Sequence, residues 1–307
     1  MHVSEWPLIV FTILAQMSVG SFVVLGVVHL FARKHADVAT VDKLSDPALY
    51  AIGPVMVAGV LASFFHLGNP LNVFNVLNGL GTSWLSRELF CGSAFTVLGA
   101  AFALCQWRKW LTPMWRQVLA AVTALVGLAL VFSMSMVYLL PTVPGWYTWA
   151  TPVSFFITTF LLGALAVGAA FVIEAWLRQR KGTTETDATL TTLTRGTLRG
   201  IGIASIVLLA AEFVVIPTYV LALSNQSSPA AGHAVSALMA AGGTWFVLRL
   251  VLVATGAGIL GLFVYRAATK SSERTLAIMA TSAFALVLVA EAIGRVLFYN
   301  SMFHVGI

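Results

Sequence analysis

The chain has 307 residues, of which 59% are hydrophobic and only 9% charged, and its mean hydropathy is +0.94. That balance excludes an ordinary soluble domain, in which about a quarter of the residues are charged. The net charge of +6 would suit nucleic acid, but the cations are placed in a way that excludes that partner and points to a membrane.

A helix crosses a hydrocarbon core of about 30 Å with roughly 20 apolar residues. Eight runs meet that length, near 7–32, 47–66, 86–107, 117–140, 150–177, 199–224, 243–267 and 275–299. They predict an all-α polytopic membrane protein, a bundle of eight transmembrane helices in one integral membrane domain over 1–307. The first run is too long for a secretory signal. It also has no basic residue ahead of it and no small-residue cleavage pattern, so it reads as a retained span.

Of the 17 Lys and Arg, 14 fall in four places: Arg33, Lys34 and Lys43; Arg108, Lys109 and Arg116; Arg178, Arg180, Lys181, Arg195 and Arg199; and Arg266, Lys270 and Arg274. These are alternate loops, and the intervening loops 67–85, 141–149 and 225–242 contain no Lys or Arg. The positive-inside rule then predicts both termini outside the cytoplasm.

The second run ends in "SFFHLGNPLNVFN", residues 63–75. Gly68 suits the left-handed position after a helix and Pro70 prevents its continuation, which holds His66 at the membrane edge. Asn69, Asn72, Asn75 and Asn78 recur every three residues among apolar ones, predicting an amphipathic turn along the outer surface, able to roof a lipid-side pocket. The third run opens on Arg87 and Glu88 and contains the two cysteines, Cys91 and Cys105. Fourteen helical residues separate these by roughly 20 Å, which excludes a disulfide, and both read as small apolar fillers.

Pro141, Pro144 and Gly145 shape the next outer loop, and "WYTW" at 146–149 reads as an interfacial aromatic anchor. The Thr-rich segment 178–200 reads as a cytoplasmic connection within one domain, with room for a short helix. The sixth run carries Glu212 near Pro217 with no local partner, and Arg249 in the seventh is its candidate interhelical partner. Glu291 and Arg295 stand four apart on one face of the eighth, where they can neutralise each other.

Under this orientation His66, Arg87, Glu88, Glu212, Arg249, Glu291 and Arg295 all converge on the outer half of the membrane. Charged groups there cost a few kcal/mol unless paired or wetted, so they normally face a cavity or one another. Quinol oxidation releases two electrons and two protons. It needs an apolar slot, hydrogen-bond partners for two ring oxygens and a base leading to water. His66 can bond one hydroxyl and Glu88 can take the proton, with Arg87 opposing the desolvation of that carboxylate.

"EWP" at 5–7, "HLGNP" at 66–70, "FNVLN" at 74–78, the glutamate of "SRE" at 88, "VPGWYTWATPVSFF" at 143–156 and "EAIGRVLFY" at 291–299 resemble the membrane anchor subunit of bacterial dimethyl sulfoxide reductase, from end to end. The resemblance implies an eight-span anchor in the bacterial inner membrane with both termini periplasmic. It would oxidise menaquinol through residues matching His66 and Glu88 and would carry no haem of its own. It further implies a heterotrimer, in which electrons pass to a ferredoxin-like iron–sulfur subunit and then to a molybdopterin catalytic subunit. Arg87 departs from the pattern, where a smaller polar residue is expected before the glutamate.

Two rival readings have their own signatures. A haem-containing quinol anchor needs paired histidines at two depths. Of His2, His29, His35, His66, His233 and His304, only His29 and His66 lie within or at the ends of spans, and they sit on opposite sides. A secondary transporter often shows inverted repeats and broken midplane helices, and the sequence shows no convincing sign of either.

Overall fold

The computed structural model describes residues 6–65, 78–180, 188–226, 229–239, 243–267 and 272–303. Its helices in chain order are α1 (Trp6–Ala32), α2 (Val38–Phe64), α3 (Trp84–Trp107), α4 (Pro113–Val137), α5 (Ala150–Arg180), α6 (Ala188–Ser224), α7 (Pro229–Leu238), α8 (Thr244–Val253), α9 (Gly261–Ala267) and α10 (Glu273–Asn300), with a π-helical stretch over Ala254–Leu260. Among the described residues eight segments are long and apolar enough to cross a membrane, α8 to α9 counting as one. This is an all-α polytopic membrane protein.

Three boundaries differ from the sequence expectation. α2 begins at Val38, nine residues before the apolar run, because the Asp37 side chain caps it by accepting from the backbone N–H of Ala39 and Thr40 at 3.0 and 3.2 Å. Asp42, Lys43 and Asp46 are therefore helical. α6 begins at Ala188, so the Thr-rich connection is half absorbed into the membrane helix. The segment 225–242, expected as a loop, contains α7, which buries Ala230, Ala231 and Ala234.

The seventh span changes its winding within "ATGAGIL", residues 254–260. A Cβ at Gly256 would lie 2.9 Å from the carbonyl oxygen of Ala283 and 2.8 Å from the Val287 side chain, so glycine lets this span lie directly on α10. A glycine-rich turn against a neighbouring backbone is where an extra residue per turn is accommodated.

The deepest contact is between α1 and α5. A Cβ on Gly20 would strike the Thr159 carbonyl, and one on Gly163 would strike the Gly20 backbone. Small residues facing each other bring the two backbones together, which is how helices in lipid gain packing energy without a hydrophobic drive between them. Around this crossing α2 and α4 pack on α1, α10 and α6 pack on α5, and α3 lies on α4. The largest core cluster joins Phe22, Phe95, Leu130, Met134, Phe155 and Phe171.

Successive spans alternate in direction. The ends of α1, α3, α5 and α9 and the starts of α2, α4, α6 and α10 meet at one end of the bundle, the basic end. The described residues among those expected to form the site lie toward the opposite end.

Candidate functional site

Glu88 sits one turn inside α3, whose N-terminus is capped by the Ser83 side chain accepting from the Ser86 N–H. The residue is 5% exposed. Tyr138, at the C-terminus of α4, and Tyr299, in the last turn of α10, form a buried pair with phenol oxygens 2.7 Å apart.

Arg295, one turn before Tyr299, continues this polar line toward α1. Its guanidinium donates to the side-chain oxygen of Gln16 at 2.7 Å and lies 3.8 Å above the Phe155 ring. Gln16 in turn donates its amide N–H to the Phe155 carbonyl at 2.9 Å, so both ends of the amide are used. Stacking on an aromatic face suits a guanidinium removed from water, since the ring quadrupole attracts the cation and demands no hydrogen bond.

A second group completes the cluster. Arg249 of α8 donates to Glu212 of α6 at 2.6 Å and lies 3.7 Å from Glu291 of α10. Glu291 also accepts from the Thr158 hydroxyl of α5 at 2.7 Å. Gly294 makes room for this, because a Cβ there would lie 2.7 Å from the Arg249 guanidinium carbon. Oε2 of Glu212, Oε1 of Glu291 and the Nε of Arg249 and Arg295 are buried with no hydrogen-bond partner among the described residues. Thr158, Arg249, Glu291 and Arg295 line a cleft of about 80 Å³. A polar space of that size holds a few waters, which would satisfy these groups and could carry protons.

The sequence-derived residues thus fall into two sets. Glu212, Arg249 and Glu291 come together with Arg295 around one cleft, while Glu88 is buried on α3 with no hydrogen bond or ion pair to them among the described residues. The expected Glu212–Arg249 pair forms. Glu291 and Arg295 take partners on other helices, with no contact between them at salt-bridge distance among the described residues.

Arg87 turns the other way. It donates to the carbonyls of Leu80 and Gly81 at 2.9 and 2.8 Å and lies over Trp84, so it fastens the loop before α3. His66, Asn69, Asn72 and Asn75 lie outside the described residues, as does His304.

Gln16, Thr158, Tyr138 and Tyr299 were missed in the sequence. A lone amide within an apolar run was the available signal for Gln16. Tyr299 closes a motif quoted above, and nothing local marked Tyr138.

Trp146 corrects another expectation. It is buried, donates its indole N–H to the Phe298 carbonyl at 2.8 Å and stacks on the Phe298 ring at 5.1 Å. Only Tyr147 and Trp149 of that motif are exposed as an interfacial anchor would be. Tyr219 donates to the neighbouring Gly145 carbonyl at 2.7 Å, tying this loop to α6 over the cleft.

The family model described as the DMSO reductase anchor subunit (DmsC) matches residues 1–300. The chain belongs to this family. The YnfH subunit of an anaerobic dimethyl sulfoxide reductase of Escherichia coli (strain K12) is 31% identical over 307 residues, covering 98% of this chain and 96% of the relative. The C subunit of the Haemophilus influenzae enzyme is 28% identical over 296 residues, 96% of this chain and 94% of its own length. The C subunit of the Escherichia coli enzyme is 36% identical, but over 162 residues only, 52% of this chain and 55% of the relative. As a member of this family the chain is a multi-pass membrane anchor.

Proposed function

We propose that this chain anchors a molybdoenzyme reductase of the dimethyl sulfoxide reductase type and oxidises menaquinol in its outer half. In this reading both termini are periplasmic, the basic end faces the cytoplasm of a bacterial inner membrane, and residues 1–307 act as one integral membrane domain. A ferredoxin-like iron–sulfur subunit and a molybdopterin catalytic subunit complete a heterotrimer. The distribution of basic residues supports the orientation.

The observation that carries the quinol reading is the buried Glu88 carboxyl on α3, at the same end of the bundle as the Tyr138–Tyr299 pair and the Arg295–Gln16 contact. A carboxyl with so little water around it, on an apolar wall, is placed to take a proton from a hydroquinone hydroxyl. His66 bonds the ring oxygen, and the quinol becomes quinone as two protons leave toward the outer surface and two electrons leave to the iron–sulfur subunit. The cleft at Glu291 and Arg249 has room for water on the proton's onward path. The redox centres belong to the partner subunits.

Glu88→Gln and His66→Arg test the reading in the assembled complex. Both should abolish quinol-dependent reduction of the acceptor, while an artificial donor that feeds the catalytic subunits directly still supports it. Equal loss with both donors would assign the two residues to assembly. Normal quinol turnover in both variants would remove them from the mechanism.

A further inference from the structure

We propose that the cavity at the basic end, between α1, α2, α3 and α4, binds the phosphodiester of an anionic phospholipid with an acyl chain in its apolar part. The cavity has a volume of about 550 Å³. Val27, Leu30 and Phe102 are among its apolar walls, and Arg33 and Arg116 lie at its polar end.

The carboxylates at that end already have partners. Lys109 bonds Asp42 at 2.7 Å and Asp46 at 3.2 Å, and Gln106 donates to Asp46 at 2.8 Å. Arg116 is only 9% exposed and donates from one terminal nitrogen to Gln106 at 2.6 Å, with Asp42 at 3.9 Å. Its Nε is buried with no hydrogen-bond partner. Arg33 reaches no carboxylate at salt-bridge distance among the described residues. Lys109, which does not line the cavity, bonds both carboxylates, which leaves Arg33 and the Nε of Arg116 open to an anion.

A buried guanidinium nitrogen without an acceptor is costly, and a phosphate oxygen supplies one. Basic pockets between membrane helices on the cytoplasmic side are suited to anionic headgroups. Trp107, Trp110 and Trp115 stand exposed beside the cavity, 62%, 53% and 61%, placing its rim at headgroup depth. The apolar walls distinguish a lipid from free phosphate, which has nothing to put against them.

The test uses the full chain in a mild non-ionic detergent, stripped of lipid and titrated with dioleoylphosphatidylglycerol, dioleoylphosphatidylcholine or inorganic phosphate. Native mass spectrometry should show one phosphatidylglycerol retained per protein, and only that lipid should raise the unfolding temperature. Arg33→Gln, which removes no side-chain hydrogen bond or ion pair among the described residues, should weaken retention by roughly tenfold, the loss of one charge-assisted contact. Arg116→Gln should weaken it further. Ala121→Trp, which fills the apolar wall and keeps every charge, should abolish lipid retention. Equal stabilisation by phosphatidylcholine, or retention unchanged in Arg33→Gln, would overturn anionic recognition. Equal stabilisation by inorganic phosphate would overturn the lipid and leave a small-anion site.

Discussion

The phenol oxygens of Tyr138 and Tyr299 meet at 2.7 Å although 161 residues separate them in the chain. The pair joins the end of α4 to the end of α10, beside rings of Trp146, Phe155 and Phe298. One phenol donates and the other accepts, so removing either hydroxyl leaves the other buried and without that partner.

Tyr138→Phe and Tyr299→Phe should each destabilise the protein by about 1–3 kcal/mol, the cost of orphaning a buried polar group. The double variant should lose much less than their sum, because two apolar rings leave nothing unsatisfied. Unfolding by denaturant in detergent gives the cycle. Strict additivity would mean that the hydrogen bond contributes nothing.

Arg249 answers to two carboxylates, Glu212 at 2.6 Å and Glu291 at 3.7 Å. Arg249→Met should therefore cost about 3–5 kcal/mol, since it leaves buried carboxylates without their cation. Adding Glu212→Gln should recover part of that loss by removing one stranded charge. Gly294→Ala, which crowds the same guanidinium, should destabilise in the same direction by less. The amount of folded chain extracted from membranes reads all three. An Arg249→Met variant as stable as the parent would show that the pairing with Glu212 and Glu291 adds nothing to stability.

At the α1–α5 crossing a larger side chain has nowhere to go. Gly163→Val should disrupt assembly, because the new Cβ meets the Gly20 backbone, which cannot move as a flexible side chain would. Overpacking typically costs about 1–3 kcal/mol, and contact with backbone places this case at the upper end or beyond. Gly200→Val in α6, where a Cβ meets nothing within 4 Å, is the matched control and should be silent. Size-exclusion profiles of the two variants settle the comparison.

The spans were legible because length and apolar run are local properties, and the expensive charges stood out against an apolar background for the same reason. Partner choice was less legible. Glu291 and Arg295 have the spacing of a helical ion pair, yet Thr158 and Arg249 hold one and Gln16 and Phe155 the other, because four helices converge on that depth. Arg87 was assigned to Glu88 by adjacency, but neighbours in a helix point in different directions, and its guanidinium meets loop carbonyls. Trp146 read as an interfacial ring, and only the fold shows that Phe298 covers it. The helical start of α2 was obscured by its charges, although Asp37 is a residue type that favours the cap.

That cap yields a pH dependence outside the membrane spans. The Asp37 carboxyl is held below the ordinary carboxylate range by hydrogen bonds from the Thr40 side chain and backbone. A carboxyl whose folded value is depressed adds stability that is fully present above its unfolded value, about 3.9, and is lost as pH falls through the folded value. The first turn of α2 should therefore keep its protection from hydrogen exchange at pH 6 and lose it progressively below about pH 4, at the amides of Ala39 and Thr40 that the carboxylate accepts from. Asp37→Asn retains an acceptor oxygen but cannot titrate, so its protection at these two amides, referred to intrinsic exchange rates, should stay level across the same range. Asp37→Ala should lack the protection at both pH values. Parallel pH profiles for the parent and the Asn variant would show that another group governs the start of α2.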